Sequence, residues 1–132
     1  MEVKIDTREK FTVVTPILPE FTANIAAAIT TIGEGQLRQA VKNIVLNMGN
    51  TASMTEEAAR SMALLQQTFY ESSASFVICC LNKTIETSLE NWELLDVLNT
   101  TPTESEAWDI VQMEEIEREL LDGEDIEFDA TA

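Results

Sequence analysis

Asn43-Ile44-Val45-Leu46-Asn47-Met48, followed across a short loop by Met54-Thr55-Glu56-Glu57-Ala58, is the stretch that decides how this chain folds. The first segment is a nearly continuous β-branched and apolar run, which suits a central strand covered on both faces. The second opens a helix whose apolar stripe is Ala58, Met62, Leu65 and Phe69. Ser53-x-x-Glu56 fits a capping box, and carboxylates at 56 and 57 suit the positive end of the helix dipole. A strand feeding a helix N-terminus is a place where anions and phosphoryl groups can be held. Here the residues at the junction are themselves anions. Either they only cap the helix or they occupy the position of a switch.

Upstream, Val3 and Ile5 alternate with polar residues, Thr7-Arg8-Glu9-Lys10 makes a polar turn, and Phe11 to Ile17 is a β-rich run. This is a hairpin signal. Pro16 cannot donate to a ladder and marks a strand end or an edge. Thr22-Ala23-Asn24 opens a helix with Ile25, Ala28, Ile29 and Ile32 on one face, ended or interrupted at Gly33-Glu34-Gly35. Downstream, Ser75 to Leu81 reads as a second buried strand. Asn82 caps a short helix carrying Ile85, Leu89 and Trp92, and a brief last strand is expected within Glu93–Leu98, from about Leu95. Thr101-Pro102-Thr103 starts a final helix.

The expected order is β-β-α-β-α-β-α-β-α. Strands separated by helices imply right-handed crossovers and a mixed, mostly parallel sheet, so the fold class is α/β. In the last helix Ala107, Ile110 and Val111 share one face, while Met113, Ile116 and Leu120 fall nearly opposite. Either the helix bends near Gln112, or these three form a second stripe offered to another copy or to a partner helix. Residues 1–111 are read as one domain, 112–123 as an extension of the C-terminal helix, and 124–132 as an acidic tail expected to be disordered.

The chain has 132 residues, a net charge of −16 and no histidine. Lacking histidine, it lacks the commonest general base and transition-metal ligand, and two cysteines alone make no ordinary zinc site. Neither a P-loop, a G-x-S-x-G elbow nor a dinucleotide fingerprint occurs. No catalytic residue, metal site or cofactor is expected. Cys79 and Cys80 are neighbours on an expected strand, so their side chains should point to opposite faces as core thiols. Residues 103–132 hold 12 acids and one base, against 12 acids and 7 bases in residues 1–102. Such a field repels nucleic acid and anionic membranes, and either selects proteins with basic surfaces or serves solubility. No apolar run is long enough to span a membrane, the N-terminus has no signal-peptide core, and a cytoplasmic location is expected.

Three patterns together resemble the STAS domain, the SpoIIAA-like fold of bacterial anti-sigma factor antagonists, over about residues 3–111. Pro19-Glu20-Phe21-Thr22 stands where that family tends to have Gly-Glu-Leu-Asp. Asn43 to Met48 is similar to its strand of the type x-Ile-Val-Leu-Asn/Asp-Leu, and Ile85-x-x-x-Leu89 with Leu94 to Leu98 to its third helix and last strand. The resemblance implies a non-catalytic module for protein–protein regulation of transcription, its partner a kinase-like anti-sigma factor. The family's Asp-Ser-Ser-Gly-Leu motif, counted from Asn47-Met48 without gaps, falls on Thr55, Glu56, Glu57, Ala58 and Ala59. Every position departs from it. Glu57 stands in the phosphoacceptor's place, with a carboxylate where the family adds charge by modification.

The resemblance implies a partner-binding edge of Glu20, Phe21, Thr22, Ser53, Thr55, Glu56 and Glu57. Each residue also has a plainer reading: the glutamates as first-turn charges, Thr55 or Ser53 as an N-cap in place of a shifted phosphoacceptor, Thr22 as a cap of the first helix. Trp92 is expected to pack with Leu89. Two other functions fit the same residues. One is a STAS subunit of a scaffold or transporter-associated complex without switching. The other is an enzyme or small-ligand carrier, against which stands the angle of about 100° between Glu56 and Glu57 around a helix.

Overall fold

The computed structural model describes the backbone of residues 2–131 and the side chains of residues 3–121. A hairpin, β1 (Glu2–Thr7) and β2 (Thr12–Ile17), pairs antiparallel with Ile5 opposite Val14. A two-residue strand β3 (Glu20–Phe21) leads into α1 (Ala23–Gln36). Then follow β4 (Ile44–Asn47), a second two-residue strand β5 (Ser53–Met54), α2 (Glu56–Glu71), β6 (Phe76–Cys79), α3 (Lys83–Asn91), β7 (Thr100–Thr101) and α4 (Glu104–Thr131). The main sheet runs β1-β2-β4-β6-β7, parallel except for the hairpin, and β3 pairs with β5 in a sheet of their own.

The central strands alternate between two cores, which explains their unbroken apolar sequence. Val14, Ile44, Leu46, Phe76 and Ile78 face α1, α2 and α3. Val13, Val45, Val77 and Cys79 face the opposite way and meet Ala107 and Val111 of α4. Phe11 closes this second core by stacking on Trp108, with ring centroids 5.0 Å apart. All four expected stripe residues of α2 are buried. Trp92 is half-buried against the larger core beside the fully buried Leu89. Pro16 lies past Val14, where β4 stops pairing with β2, so no bond between those strands is lost there.

Beyond the added β3 and β5, the fold departs from expectation in three places. The last strand is Thr100–Thr101, not within Glu93–Leu98. That segment instead turns, with Val97 N–H and Leu98 N–H donating to the Leu94 carbonyl, and buries Leu94 and Leu98. Second, α1 runs through Gly33 and Gly35, and its buried face is Ile25, Ala26, Ile29 and Gly33. A Cβ on Gly33 would lie 3.1 Å from the Phe69 ring and 3.2 Å from the Leu65 methyls, so glycine permits α1 to approach α2. Third, the two cysteines do not point apart. β6 ends at Cys79, Cys80 turns off it with φ 65°, and the two sulfurs come within 3.5 Å as free thiols.

In α4 the structure decides between the bend and the second stripe. The helix does not return Met113, Ile116 and Leu120 to the core: all three are exposed. Its turns beyond Val111 stay against the domain through polar bonds. Asn43 Nδ2 donates to Glu115 (2.9 Å), and Arg118 donates to Ser75 Oγ (3.3 Å). The disorder expected for residues 124–132 falls on residues whose side chains lie outside the described ones.

Candidate functional site

The β4–α2 junction is built by backbone. Pairing of β3 with β5 sets Glu20 beside Ser53 and Phe21 beside Met54. The Pro19 carbonyl accepts from Ala52 N–H (2.8 Å) and Ser53 N–H (3.0 Å), and the Phe21 carbonyl accepts from Thr55 N–H (3.0 Å). Two loops more than thirty residues apart in sequence are thereby joined at the start of α2. From the other side Asn82 Nδ2 donates to the carbonyls of Thr51 (3.3 Å) and Ala52 (2.9 Å), while its Oδ1 accepts from Ile85 N–H and caps α3.

Thr55 is the N-cap of α2, in extended conformation, its Oγ1 accepting from Ala58 N–H at 3.3 Å. The expected capping box through Ser53 does not form, because Ser53 is committed to β5. Thr22 occupies the N-cap position of α1, but its side chain makes no capping bond. The two glutamates differ. Arg60, one turn on, donates to Glu56 Oε2 through Nε (2.9 Å) and Nη2 (2.7 Å). Among the described residues the Glu57 carboxylate has no hydrogen-bond or ion-pair partner, and it is exposed.

Of the seven residues expected on this edge, Glu20, Glu56 and Glu57 are exposed, and Thr22, Ser53 and Thr55 are half-buried. Phe21 is not available to a partner: it is fully buried in the larger core, because the inward position of β3 faces Met54 and the helices. The edge carries three carboxylates and one guanidinium, and the hydroxyl nearest the helix start is already used as a cap. Sequence reasoning missed Arg60 and the second bond set of Asn82. The first was legible as an acid and a base four residues apart on one helix face. The second joins residues about thirty apart and leaves no local pattern.

Among the described residues no group of three or more acidic or cysteine side chains is placed to hold a metal ion, and no helix is long and apolar enough to cross a membrane. No family model matches the chain, and no curated protein matches it by sequence. Its fold does match solved structures. A Thermotoga maritima protein assigned as a candidate anti-sigma factor antagonist superposes with a TM-score of 0.73 at 16% identity, over 83% of this chain and 94% of that one. An anti-sigma-factor antagonist (STAS) domain protein of Planctomyces limnophilus gives 0.68 at 11% identity, over 83% and 97%. The murine Solute Carrier 26 family member A9 anion transporter gives 0.64 at 12% identity, over 79% of this chain and 18% of that much longer one. The chain is folded as an α/β STAS-like domain.

Proposed function

We propose that this protein is a non-catalytic protein–protein regulatory module of the anti-sigma factor antagonist type, acting through the edge formed by Glu20, Thr22, Ser53, Thr55, Glu56 and Glu57. The observation that carries the reading is the joining of β3 to β5. It presents the Glu20 loop and the start of α2 as one surface, with Glu57 projecting from it without a partner among the described residues. With glutamate at 57 there is no hydroxyl to phosphorylate, and the negative charge is permanent. A carboxylate has about half to two thirds of the charge of a phosphate and fewer acceptor oxygens, so it holds one binding state without copying the modified one. The partner is a kinase-like anti-sigma factor with basic residues facing this edge, met in the cytoplasm. Charge steers the encounter and loop contacts set specificity. No cofactor takes part.

A second reading rests on the likeness to part of an anion transporter: a STAS-like subunit of a transport complex, without switching. Affinity capture from the native cell, using the intact chain and a Glu57→Ser variant as baits, separates the two. The main reading expects an ATP-binding kinase-like protein whose recovery changes at least several-fold with Glu57→Ser. Recovery of membrane-transport subunits alone, equal on both baits, sinks it. Phosphate found on Thr55 or Ser53 by mass spectrometry, after incubation with the captured kinase and ATP, would show that switching persists at a shifted hydroxyl.

A further inference from the structure

The outer face of α4 carries a feature that the α2 edge does not use. The helix seats on the sheet through Ala107 and Val111 and continues along it through Glu115 and Arg118. At about 100° per residue, Met113, Ile116 and Leu120 fall within an arc of about 60° almost opposite Val111. They are 53%, 54% and 61% exposed. A stripe at i, i+3 and i+7 is the spacing by which one helix anchors another.

Its surroundings select the occupant. Asp109 and Glu117 lie on the same outward side, with Glu119 toward one flank. The single base of residues 103–132 is Arg118, and its guanidinium is turned inward, donating through both terminal nitrogens to Ser75 Oγ. The outward surface is therefore apolar through Met113, Ile116 and Leu120, with Asp109 in line with that stripe one turn before Met113 and Glu117 and Glu119 on either side of it. A second copy laid against it would set carboxylates against carboxylates, which opposes association. A helix with leucine-like residues on one face and lysine or arginine beside them meets both features.

We infer that the outer face of α4 is a docking surface for a basic amphipathic helix of a partner protein. It lies across the sheet from α1, α2 and α3, so its occupation does not compete with the α2 edge and does not rest on the function proposed for that edge. One protein can then hold two partners at once, on opposite faces.

The test titrates the full chain with a synthetic peptide of roughly 18 residues, five helical turns, with leucine at helical spacing and lysine elsewhere. A peptide of the same composition with the leucines scattered is the control. The intact chain is expected to bind the amphipathic peptide at least about tenfold tighter than the control, and Met113→Ser/Ile116→Ser/Leu120→Ser is expected to abolish that preference. The three side chains are exposed, so circular dichroism should keep its helical signal, and Tm should fall by no more than about 5 °C, the cost of serine's weaker helix propensity at three positions. Glu57→Ser should bind the peptide as the intact chain does. Equal binding of both peptides, a preference that survives the triple substitution, or its loss in Glu57→Ser would overturn the inference. So would a dimer in light scattering that the triple substitution dissociates, since the occupant would then be a second copy.

Discussion

Arg60 clasps Glu56 through two bonds, 2.9 and 2.7 Å, and in doing so divides the two adjacent glutamates into a neutralised one and an outstanding one. Both are exposed, so their effect on folding is small, and their difference should appear in recognition. Glu57→Ser is expected to shift Tm by less than about 3 °C while changing partner affinity several-fold. Thr55→Ala is the opposite case. It removes the N-cap acceptor, at a cost of about 1 kcal/mol, and Thr55→Ser should retain most of it. Urea unfolding of the three variants beside a binding titration separates the two kinds of residue. A Glu57→Ser protein as destabilised as Thr55→Ala would make Glu57 a structural group.

Gly33 and Gly35 stand two apart on one helix and should respond oppositely to alanine. Nothing lies within 4 Å of a Cβ on Gly35, so Gly35→Ala should stabilise by roughly 0.5–1 kcal/mol through helix propensity. On Gly33 the same methyl meets the Phe69 ring and both Leu65 methyls inside a packed core. Gly33→Ala should lose that gain and destabilise by about 0.5–1.5 kcal/mol. Equal stability of the two variants would mean that α1 and α2 separate at little cost.

Asn43 is a buried polar hub. Its Oδ1 accepts from Ser75 N–H (2.8 Å), and its Nδ2 donates to the Lys10 carbonyl (3.0 Å) and to Glu115 (2.9 Å). Asn43→Ala should cost about 2–4 kcal/mol, because the Ser75 amide is left without its acceptor as α4 loses a tie. Asn43→Asp would keep the acceptor but set a second carboxylate against Glu115, and should be nearly as costly. Chemical denaturation measures both.

Burial pushes the Cys79 thiol well up from its ordinary value of 9.0, with the Cys80 thiol and the Glu104 carboxylate adding to the shift. In the unfolded chain that thiol ionises as pH rises through about 9, while the folded one keeps its proton. The folded state then binds more protons than the unfolded, so stability should fall as pH rises above that value, and Cys79→Ala should flatten the dependence. Alkylation at pH 8 should label the half-buried Cys80 first and reach Cys79 only on unfolding, since the thiolate is the nucleophile. Equal labelling rates would contradict the burial.

The parts of the fold carried by local pattern were legible. β4 and β6 announce themselves by unbroken apolar runs, and α2 by four stripe residues that are all buried. What escaped is what two distant segments make together. β3 and β5 are two residues each, too short for any periodicity, and exist only because each is the other's partner. The last strand is likewise two polar threonines placed by β6, while the apolar run before it, which looked like the strand, plugs the core as a turn. Both Ser53 and Thr55 were reasonable caps, and the β5 pairing decided between them. The left-handed backbone at Cys80 has no signature in a residue type that seldom adopts it.

The small sheet of β3 and β5 has a consequence for how fast and how tightly the edge can be met. Glu20 and the start of α2 come from chain segments that would otherwise fluctuate independently, and a partner would have to immobilise both. Three backbone bonds, from Ala52, Ser53 and Thr55, make that immobilisation part of folding. The loss of conformational entropy is therefore already incurred before any encounter, and the free energy of contact is left to appear as affinity.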